Sequence, residues 1–346
     1  ARGQRENPSN EGRLCVKGRF GFDFVNSPDR LKTPLIRRNG VLEPATWDEA
    51  LDLVAGKFAA SRGDAFAAIA SAKLTNEENY VIQKFSRAVM GTNNVDHCAR
   101  LCHSPSVAGL VQSFGSGAMT SSSKDLGDAR CIFAIGTNTT AAHPIIGLQV
   151  MRSIRAGGKL IVVNPRAIEL ARHADLFIQN RAGSDVALLM GMMRVIVDEG
   201  LHDAQFIEAR CENFEAFRES LAEYDEATVE EKTGVPFAQV AEAARMYAQN
   251  SPAAILYAMG ITQHTHGTDN VLATSNLAML TGNVGLPSGG VNPLRGQSNV
   301  QGACDMGALP NVYPGYQKVD LPEVKAKFEQ AWGVDLDDAP GLTHLE

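Results

Sequence analysis

Through the middle of the sequence, short apolar runs alternate with longer stretches in which apolar residues recur at helical spacing. The short runs predict strands, at Phe66–Ala70, Cys131–Ile135, Leu160–Val163, Leu176–Ile178 and Ala254–Ala258. The longer stretches predict helices, at His143–Arg155, Asp185–Asp198, Asp269–Leu280 and near 203–222 and 236–249. Short strands separated by helices indicate an α/β fold, in which helices cover both faces of a mostly parallel sheet.

Polar residues mark where several helices begin. Thr46 with Glu49, and Thr75 with Glu78, have the spacing of a capping box, in which the hydroxyl and the carboxylate each accept from an otherwise unbonded amide. Ser184 is expected to cap the helix that starts at Asp185. Residues 1–40 are rich in Arg, Gly, Pro and Asn and predict irregular structure or short strands.

Composition sets limits on the class of protein. The 346 residues suggest about two domains. A net charge of -7 disfavours nucleic acid as the main partner, and no apolar run is long enough to span a membrane. Six scattered cysteines do not resemble a small disulfide scaffold. The cysteines are therefore expected to be reduced thiols, which favours a cytoplasmic location.

Small polar residues follow three of the predicted strands. The loops are Gly136-Thr137-Asn138-Thr139-Thr140, Asn164-Pro165-Arg166 and Met259-Gly260-Ile261-Thr262-Gln263. Each loop alone is typical of an ordinary turn. Because the carboxyl ends of parallel strands meet at one edge of a sheet, the three together suggest a large polar ligand lying across that edge. None has the G-x-G-x-x-G spacing of a simple dinucleotide site.

The segment His97–Pro105 contains two cysteines and two histidines, and three interpretations remain open. Zinc binding is disfavoured because His97 and His103 each adjoin a cysteine, and sequence neighbours rarely converge on one tetrahedral ion. A cysteine beside a histidine can instead be a reactive thiolate. The third interpretation is buried thiols with surface imidazoles.

A long loop rich in Gly, Asn and Gln, residues 289–307, contains Arg295. Loops of this length in a compact domain are often functional. Arg295 can bind a carboxylate or a phosphate through two parallel hydrogen bonds, or it can be a solvated surface arginine.

Taken together, the motifs resemble the molybdopterin oxidoreductases, and within that family the catalytic subunit of formate dehydrogenase. The resemblance runs from about residue 12 to about residue 333. Leu14-Cys15-Val16-Lys17-Gly18 is similar to the segment with the family's fourth iron–sulfur cysteine and the lysine between cluster and pterin. Cys102-His103 resembles the metal ligand and its neighbouring histidine, and Arg295-Gly296-Gln297 resembles the segment with the active-site arginine.

The resemblance implies a role for each of these residues. Cys102 would bind molybdenum or tungsten as a thiolate, and Arg295 would hold formate. His103 would lie beside the C–H bond of formate and either orient the substrate or accept a proton. Lys17 would lie on the electron path to the 4Fe-4S cluster bound by Cys15. The remaining matching positions would hold the two pterin guanine dinucleotides: Gly136, Thr137, Asn138, Asn164, Pro165, Arg166, Gly183, Ser184, Asp185, Met259, Gly260, Gln263 and Gln297.

The implied fold has two doubly wound, Rossmann-like domains and a small N-terminal part. Residues 1–34 would belong to the cluster-proximal part, residues 35–97 with 298–346 to one pterin-binding domain, and residues 98–297 to the other. Flavin and iron–sulfur electron-transfer subunits are the implied partners, with formate and carbon dioxide as substrate and product. The alternatives are another family member such as a nitrate reductase, or a cofactor-free, non-catalytic chain.

The sequence also departs from the family pattern. A cubane cluster needs four cysteines, and only Cys15 occurs in the N-terminal segment. We therefore expect the chain to be a fragment, with three cysteines encoded before Ala1 and a pterin-closing domain after Glu346. The fragment is not expected to assemble the cluster by itself.

Overall fold

The computed structural model describes residues 1–346 and is built from short strands and helices in alternation. The strands are β1 Leu35–Arg38, β2 Val41–Pro44, β3 Ala68–Ala70, β4 Val95–His97, β5 Cys131–Ile135, β6 Lys159–Val163, β7 Leu176–Ile178, β8 Ala253–Tyr257, β9 Gly290–Pro293, β10 Val312–Tyr313 and β11 Gln317–Lys318. The α-helices are α1 Val16–Phe20, α2 Trp47–Ala59, α3 Asn76–Lys84, α4 Ala99–Cys102, α5 Ser104–Phe114, α6 Thr139–Ala142, α7 Pro144–Arg155, α8 Asp185–Asp198, α9 Ala204–Arg210, α10 Phe214–Ser220, α11 Glu226–Thr233, α12 Phe237–Gln249, α13 Met259–Thr262, α14 Gly267–Leu280, α15 Val300–Asp305 and α16 Pro322–Trp332.

The chain divides into two compact units. Unit 1 comprises residues 1–19 and 101–296, and unit 2 comprises residues 20–100 and 297–346. No helix is both long enough and apolar enough to cross a membrane.

Unit 1 is organised around a five-stranded parallel sheet in the order β7-β6-β5-β8-β9. Successive residues of β5 face opposite sides of the sheet, and both sides are buried. Phe133 and Ile135 join a core that includes residues of α8, α12 and α14, whereas Ile132 and Ala134 join a second core that includes α7. The expected α/β class, with a parallel sheet covered on both faces, is therefore confirmed.

The strand order of unit 1 determines where a ligand can bind. From β5 the chain proceeds through β6 to β7 in one direction, and it then returns to place β8 and β9 on the other side of β5. The direction of winding reverses between β5 and β8, and in open parallel sheets the crevice at such a point is where ligands bind. Gly136 follows β5 and Met259 follows β8, so both lie at the carboxyl ends that form this crevice.

Unit 2 contains a parallel pair, β3–β4, and two antiparallel pairs, β1–β2 and β10–β11. A buried guanidinium organises part of it. Arg87 is 2% exposed and donates hydrogen bonds to Asn93 Oδ1 and to the carbonyl oxygens of Gly307, Leu309 and Val312. Arg87 lies in a five-residue π-helix, Phe85–Val89, that continues α3. A single charged side chain thus ties this helix to β10 and to the loop before it.

Local predictions fared differently from those that depend on distant neighbours. The capping boxes at Thr46 and Thr75 are both formed. Ser184 does not cap α8 through its side chain; its hydroxyl donates to the carbonyl of Arg181 and accepts from Asn180 Nδ2. The helix predicted near 203–222 is interrupted around Asn213, whose φ of 57° is incompatible with a continuous right-handed helix. Helix α11 and strand β9 were not predicted.

Candidate active site

Cys102 and His103 occupy the junction between α4 and α5. Both are buried, with 3% and 2% of their surface exposed. The junction is tied to the end of β8, because the Thr262 hydroxyl in α13 donates to the backbone carbonyl of Cys102. The predicted metal ligand therefore lies beside the crevice-forming edge of the sheet.

Hydrogen bonds fix the protonation of His103. Its Nε2 lies 3.1 Å from the carbonyl oxygen of Leu294, which can only accept, so Nε2 carries the proton. Its Nδ1 lies 2.8 Å from the Ser106 hydroxyl, which must donate to it. Burial, assisted by the positive charge of Arg295, lowers the pKa of His103 to about 4. The imidazole is therefore neutral near pH 7, and both of its nitrogens have hydrogen-bond partners.

Arg295 comes directly after the residue that His103 contacts. Its guanidinium donates to the carbonyl of Gly117, 2.8 Å away, and its own carbonyl accepts from His143 Nε2 at 2.8 Å. Burial lowers the pKa of His143, which favours the neutral ring. Arg295 also lines a cavity of about 330 Å³, together with Ala118, Met119, Ser123, His143, Ile146, Pro293 and Leu294. The predicted pair Cys102-His103 and the predicted arginine thus meet at one place in unit 1.

Most of the predicted dinucleotide residues surround a second cavity, of about 350 Å³, at the carboxyl ends of the strands. Its lining comprises Gly136, Asn164, Pro165, Arg166, Asn180, Ala182, Gly183, Asp185, Gly260 and His264. The loops after β5 and β8 pack closely here, and the Gly260 amide donates to the Gly136 carbonyl at 3.1 Å. A Cβ atom on Gly260 would lie 2.5 Å from that carbonyl oxygen, so the approach requires glycine.

Six predicted dinucleotide positions do not line this cavity. Thr137, Asn138, Ser184, Met259 and Gln263 lie in the same loops of unit 1 without contributing to its wall. Gln297 belongs to unit 2. Asn180 and His264 line the cavity but were not singled out from the sequence. Asn180 follows β7 by two residues, so the strand-end argument applied to the loops after β5 and β6 identifies it as well.

Polar groups near this cavity lack partners within the protein. The hydroxyl oxygens of Thr137 and Thr139 and the side-chain oxygen of Asn180 are buried without a hydrogen bond. Asp185 is 5% exposed, burial raises the pKa of its carboxyl, and Asn180 Nδ2 donates to it at 3.2 Å. Buried polar groups of native proteins usually have partners. These residues therefore suit a ligand with several donors and acceptors, as a nucleotide has.

The N-terminal candidates belong to unit 1. Cys15 is half-buried, and a hydrogen bond from the Gly18 amide lowers the pKa of its thiol, which favours the thiolate. Lys17 lies in α1 with an exposed side chain. No three His, Cys, Asp or Glu side chains converge as a metal site of their own. His97, which the zinc interpretation grouped with His103, contacts Cys304 Sγ at 3.3 Å within unit 2.

Three residues of the site were not found from the sequence: Ser106, His143 and Tyr257. Ser106 bonds His103, Tyr257 bonds Ser106, and His143 bonds the Arg295 carbonyl. No local motif marks His143 and Tyr257, because their partners lie far away in the sequence. Ser106 lies in the first turn of a helix, where a serine is common and does not by itself indicate a site.

Two protein-family models match the sequence of this chain. A family model described as molybdopterin oxidoreductase matches residues 30–337, and one described as molybdopterin oxidoreductase Fe4S4 domain matches residues 1–27. The F420-dependent formate dehydrogenase 1 subunit alpha of Methanococcus maripaludis is 50% identical over 339 residues, covering 98% of this chain and 50% of that protein. Formate dehydrogenase H of Escherichia coli is 50% identical over 338 residues, covering 94% of this chain and 47% of its own length.

A solved structure, the acetylene hydratase from Pelobacter acetylenicus, superposes with a TM-score of 0.70 at 26% identity, covering 80% of this chain and 39% of that one. The chain spans about half the length of the curated relatives it matches. Because a shared fold can host different reactions, the assignment of a reaction depends on the site residues. The family models cover nearly the whole chain, and on that evidence the chain belongs to the molybdopterin oxidoreductase family.

Proposed function

We propose that this chain is the central catalytic part of a formate dehydrogenase alpha subunit. It would oxidise formate to carbon dioxide by two electrons, or run the reverse, at a molybdenum or tungsten bis-pterin centre. One observation carries the proposal: the His103 ring donates to the Leu294 carbonyl, across 191 positions of sequence, and so places Cys102-His103 beside Arg295. The high identity to formate dehydrogenase alpha subunits supports the same substrate.

The residues divide the task by their chemistry. Cys102 supplies a thiolate, a soft ligand suited to the metal. Arg295 binds the formate carboxylate by charge-assisted hydrogen bonds, and the adjoining cavity admits a molecule of that size. His103, neutral and held at both nitrogens, orients the C–H bond. When bound, the metal centre accepts the two electrons. Lys17 lies on their path to a 4Fe-4S cluster of which Cys15 is the fourth ligand.

The strand-end loops would hold the pterin guanine dinucleotides. The glycines at 136, 183 and 260 allow close approach of backbone to phosphate or base, and Asp185 is a buried acceptor for a base N–H group. We also propose Gln297, a residue of unit 2, as a dinucleotide-binding residue. We assign residues 1–34 to the cluster-proximal domain, 98–297 to one pterin-binding domain, and 35–97 with 298–346 to the other.

The whole protein would transfer its electrons to flavin and iron–sulfur partner subunits in the cytoplasm. Co-purification of the full-length subunit from its native host, followed by identification of bound flavin and iron–sulfur proteins, tests this part of the proposal. Recovery of the active subunit alone, without such partners, would contradict it.

Formate-dependent dye reduction by the full-length enzyme, with elemental analysis for molybdenum and tungsten, tests the activity. We expect Cys102→Ala to abolish turnover and Cys211→Ala, which changes a cysteine between α9 and α10, to preserve it. Normal turnover by Cys102→Ala would disprove the assignment of the ligand. Nitrate-dependent dye oxidation without formate activity would instead identify another member of the family.

A second pair of variants tests the substrate site. Arg295→Lys keeps the positive charge but loses the planar fork, so we expect the KM for formate to rise about tenfold, and further for Arg295→Ala. The matched control is Arg245→Ala, which removes an exposed arginine paired with Glu199. Unchanged kinetics in both Arg295 variants would exclude Arg295 from formate binding.

A further inference from the structure

A buried chain of hydrogen bonds extends from His103 into the core of unit 1. The Tyr257 hydroxyl donates to Ser106 Oγ at 2.9 Å, and Ser106 Oγ lies 2.8 Å from His103 Nδ1. Ser106 and Tyr257 are both fully buried, at 0% exposed. Ser106 lies in the first turn of α5, and Tyr257 is the last residue of β8. Neither touches the cavity beside Arg295.

The direction of each bond follows from the chemistry of its neighbours. The carbonyl of Leu294 requires a proton on His103 Nε2, and the hydroxyl of Tyr257 donates to Ser106 Oγ. Ser106 therefore donates its only hydrogen to Nδ1, and its oxygen is left to accept from Tyr257. In this arrangement each donor among the side chains of Tyr257, Ser106 and His103 has an acceptor, and reversing any one of the bonds leaves a buried group unpaired.

We propose that Ser106 and Tyr257 are positioning residues that hold the His103 ring in a single orientation, with its proton on Nε2 and directed at the carbonyl next to Arg295. Tyr257 acts at two points. Its hydroxyl holds Ser106, and its backbone carbonyl accepts from the Leu294 amide at 2.8 Å. One residue at the end of β8 therefore fixes both the histidine and the segment that presents Arg295.

The consequence for catalysis rests on the proposed function. A histidine whose two nitrogens are both engaged orients the substrate without exchanging a proton during substrate binding. Loss of the Ser106 hydroxyl frees Nδ1, and the ring can then rotate or move its proton to that nitrogen. Because Arg295 keeps its hydrogen bonds, we expect the loss of the Ser106 hydroxyl to disturb the orientation of bound formate more than the affinity for formate.

The direct test uses the 346-residue chain without formate. Histidine ring nitrogens are labelled with nitrogen-15, and NMR reads which nitrogen of His103 carries the proton, with His103→Gln identifying the signal. We expect a single Nε2–H form in the native chain and in Ser106→Thr, and a mixture or an Nδ1–H form in Ser106→Ala. Tyr257→Phe should show increased ring exchange with the Nε2–H form retained, because Ser106 can still donate.

The control is Ser153→Ala, which removes another buried serine hydroxyl of unit 1, bonded to the Ala129 carbonyl; its His103 signals should be unchanged. A proton on Nδ1 in the native chain, or an unaltered ring in Ser106→Ala, overturns the proposal.

The kinetic test uses the full-length enzyme. We expect Ser106→Ala to lower kcat about tenfold while the KM for formate changes less than about threefold, with Ser106→Thr restoring most of kcat. An unchanged kcat in Ser106→Ala overturns the positioning role. The two tests fail separately: the NMR result stands whatever the substrate, whereas absence of formate turnover in the native enzyme refutes the proposed function alone.

Discussion

Replacing Arg87 with methionine is expected to destabilise unit 2 more than any change to an exposed arginine. Methionine matches the length of the aliphatic part of arginine and removes the guanidinium. The Oδ1 atom of Asn93 and three backbone carbonyls then lose their donor inside the protein. The stacking of the guanidinium on Tyr313, with its central carbon 4.9 Å from the ring centroid, is lost as well.

The magnitude follows from those acceptors. An unsatisfied buried acceptor costs about 1 to 3 kcal/mol, and neighbouring losses do not add fully because the loop before β10 can relax. Taking four acceptors at the low end of that range gives a loss of about 4 kcal/mol in the free energy of unfolding. Burial lowers the pKa of Arg87 to about 10, so the side chain is charged at pH 7 and its bonds are charge-assisted.

Urea unfolding followed by tryptophan fluorescence measures this change. The only two tryptophans, Trp47 and Trp332, both lie in unit 2, so the signal reports on that unit. Arg38→Met is the control, because Arg38 forms ion pairs with Glu43 and Glu49 on the surface of the same unit and should contribute little. Equal unfolding midpoints for the two variants would refute the argument that carbonyl satisfaction by Arg87 stabilises unit 2.

Three further predictions concern unit 1. Gly260→Ala should lower the free energy of unfolding of unit 1 by about 2 kcal/mol or more, because the new Cβ meets backbone atoms; circular dichroism during urea unfolding measures it. Gly200→Ala is the milder control, since Gly200 has a φ of 66° but open space around it. Equal losses of stability in the two variants would contradict the steric argument. Folding lowers the pKa of His103 from 6.5 to about 4, so between these pH values the unfolded chain binds a proton at this residue that the folded chain does not. The free energy of unfolding should therefore fall as the pH drops from 6.5 to 4, by up to about 3 kcal/mol. The same pH dependence in a His103→Gln chain would show that His103 does not cause it. His143→Gln can keep a donor near the Arg295 carbonyl and His143→Asn is too short to reach it, so only the second should raise the KM for formate in the full-length enzyme, and equal KM values would assign His143 no positioning role.

Sequence patterns predicted structure well where the cause is local. A capping box involves residues three apart, so Thr46 with Glu49 and Thr75 with Glu78 could be recognised without knowledge of the fold. The bounds of β5 and β7 were predicted because buried strands of a parallel sheet are continuous apolar runs. Strand β9 was missed because Gly290-Val291-Asn292-Pro293 has the composition of a turn, and only its pairing with β8 makes it a strand.

The candidate site divides in the same way. Motifs identified Cys102, His103 and Arg295, and spacing alone had left Cys102 with several interpretations. Tyr257 could not be identified, since its partner Ser106 is 151 positions away and a tyrosine at the end of an apolar strand is usually core packing. Roles that depend on which hydrogen-bond partner a folded chain supplies are not encoded in local sequence.

The division of the chain into units also sets an order of folding. Residues 101–296 of unit 1 are continuous and include the whole five-stranded sheet, so its strands can pair as soon as they leave the ribosome. Unit 2 cannot do so, because Arg87 must wait for the carbonyls of Gly307, Leu309 and Val312, which are synthesised after all of unit 1. During that interval the Arg87 guanidinium remains solvated, and Ala72 and Ala99 lack their apolar partners Val300 and Cys304. The first part of unit 2 to be made therefore gains these contacts only after the last part of unit 2 has been synthesised.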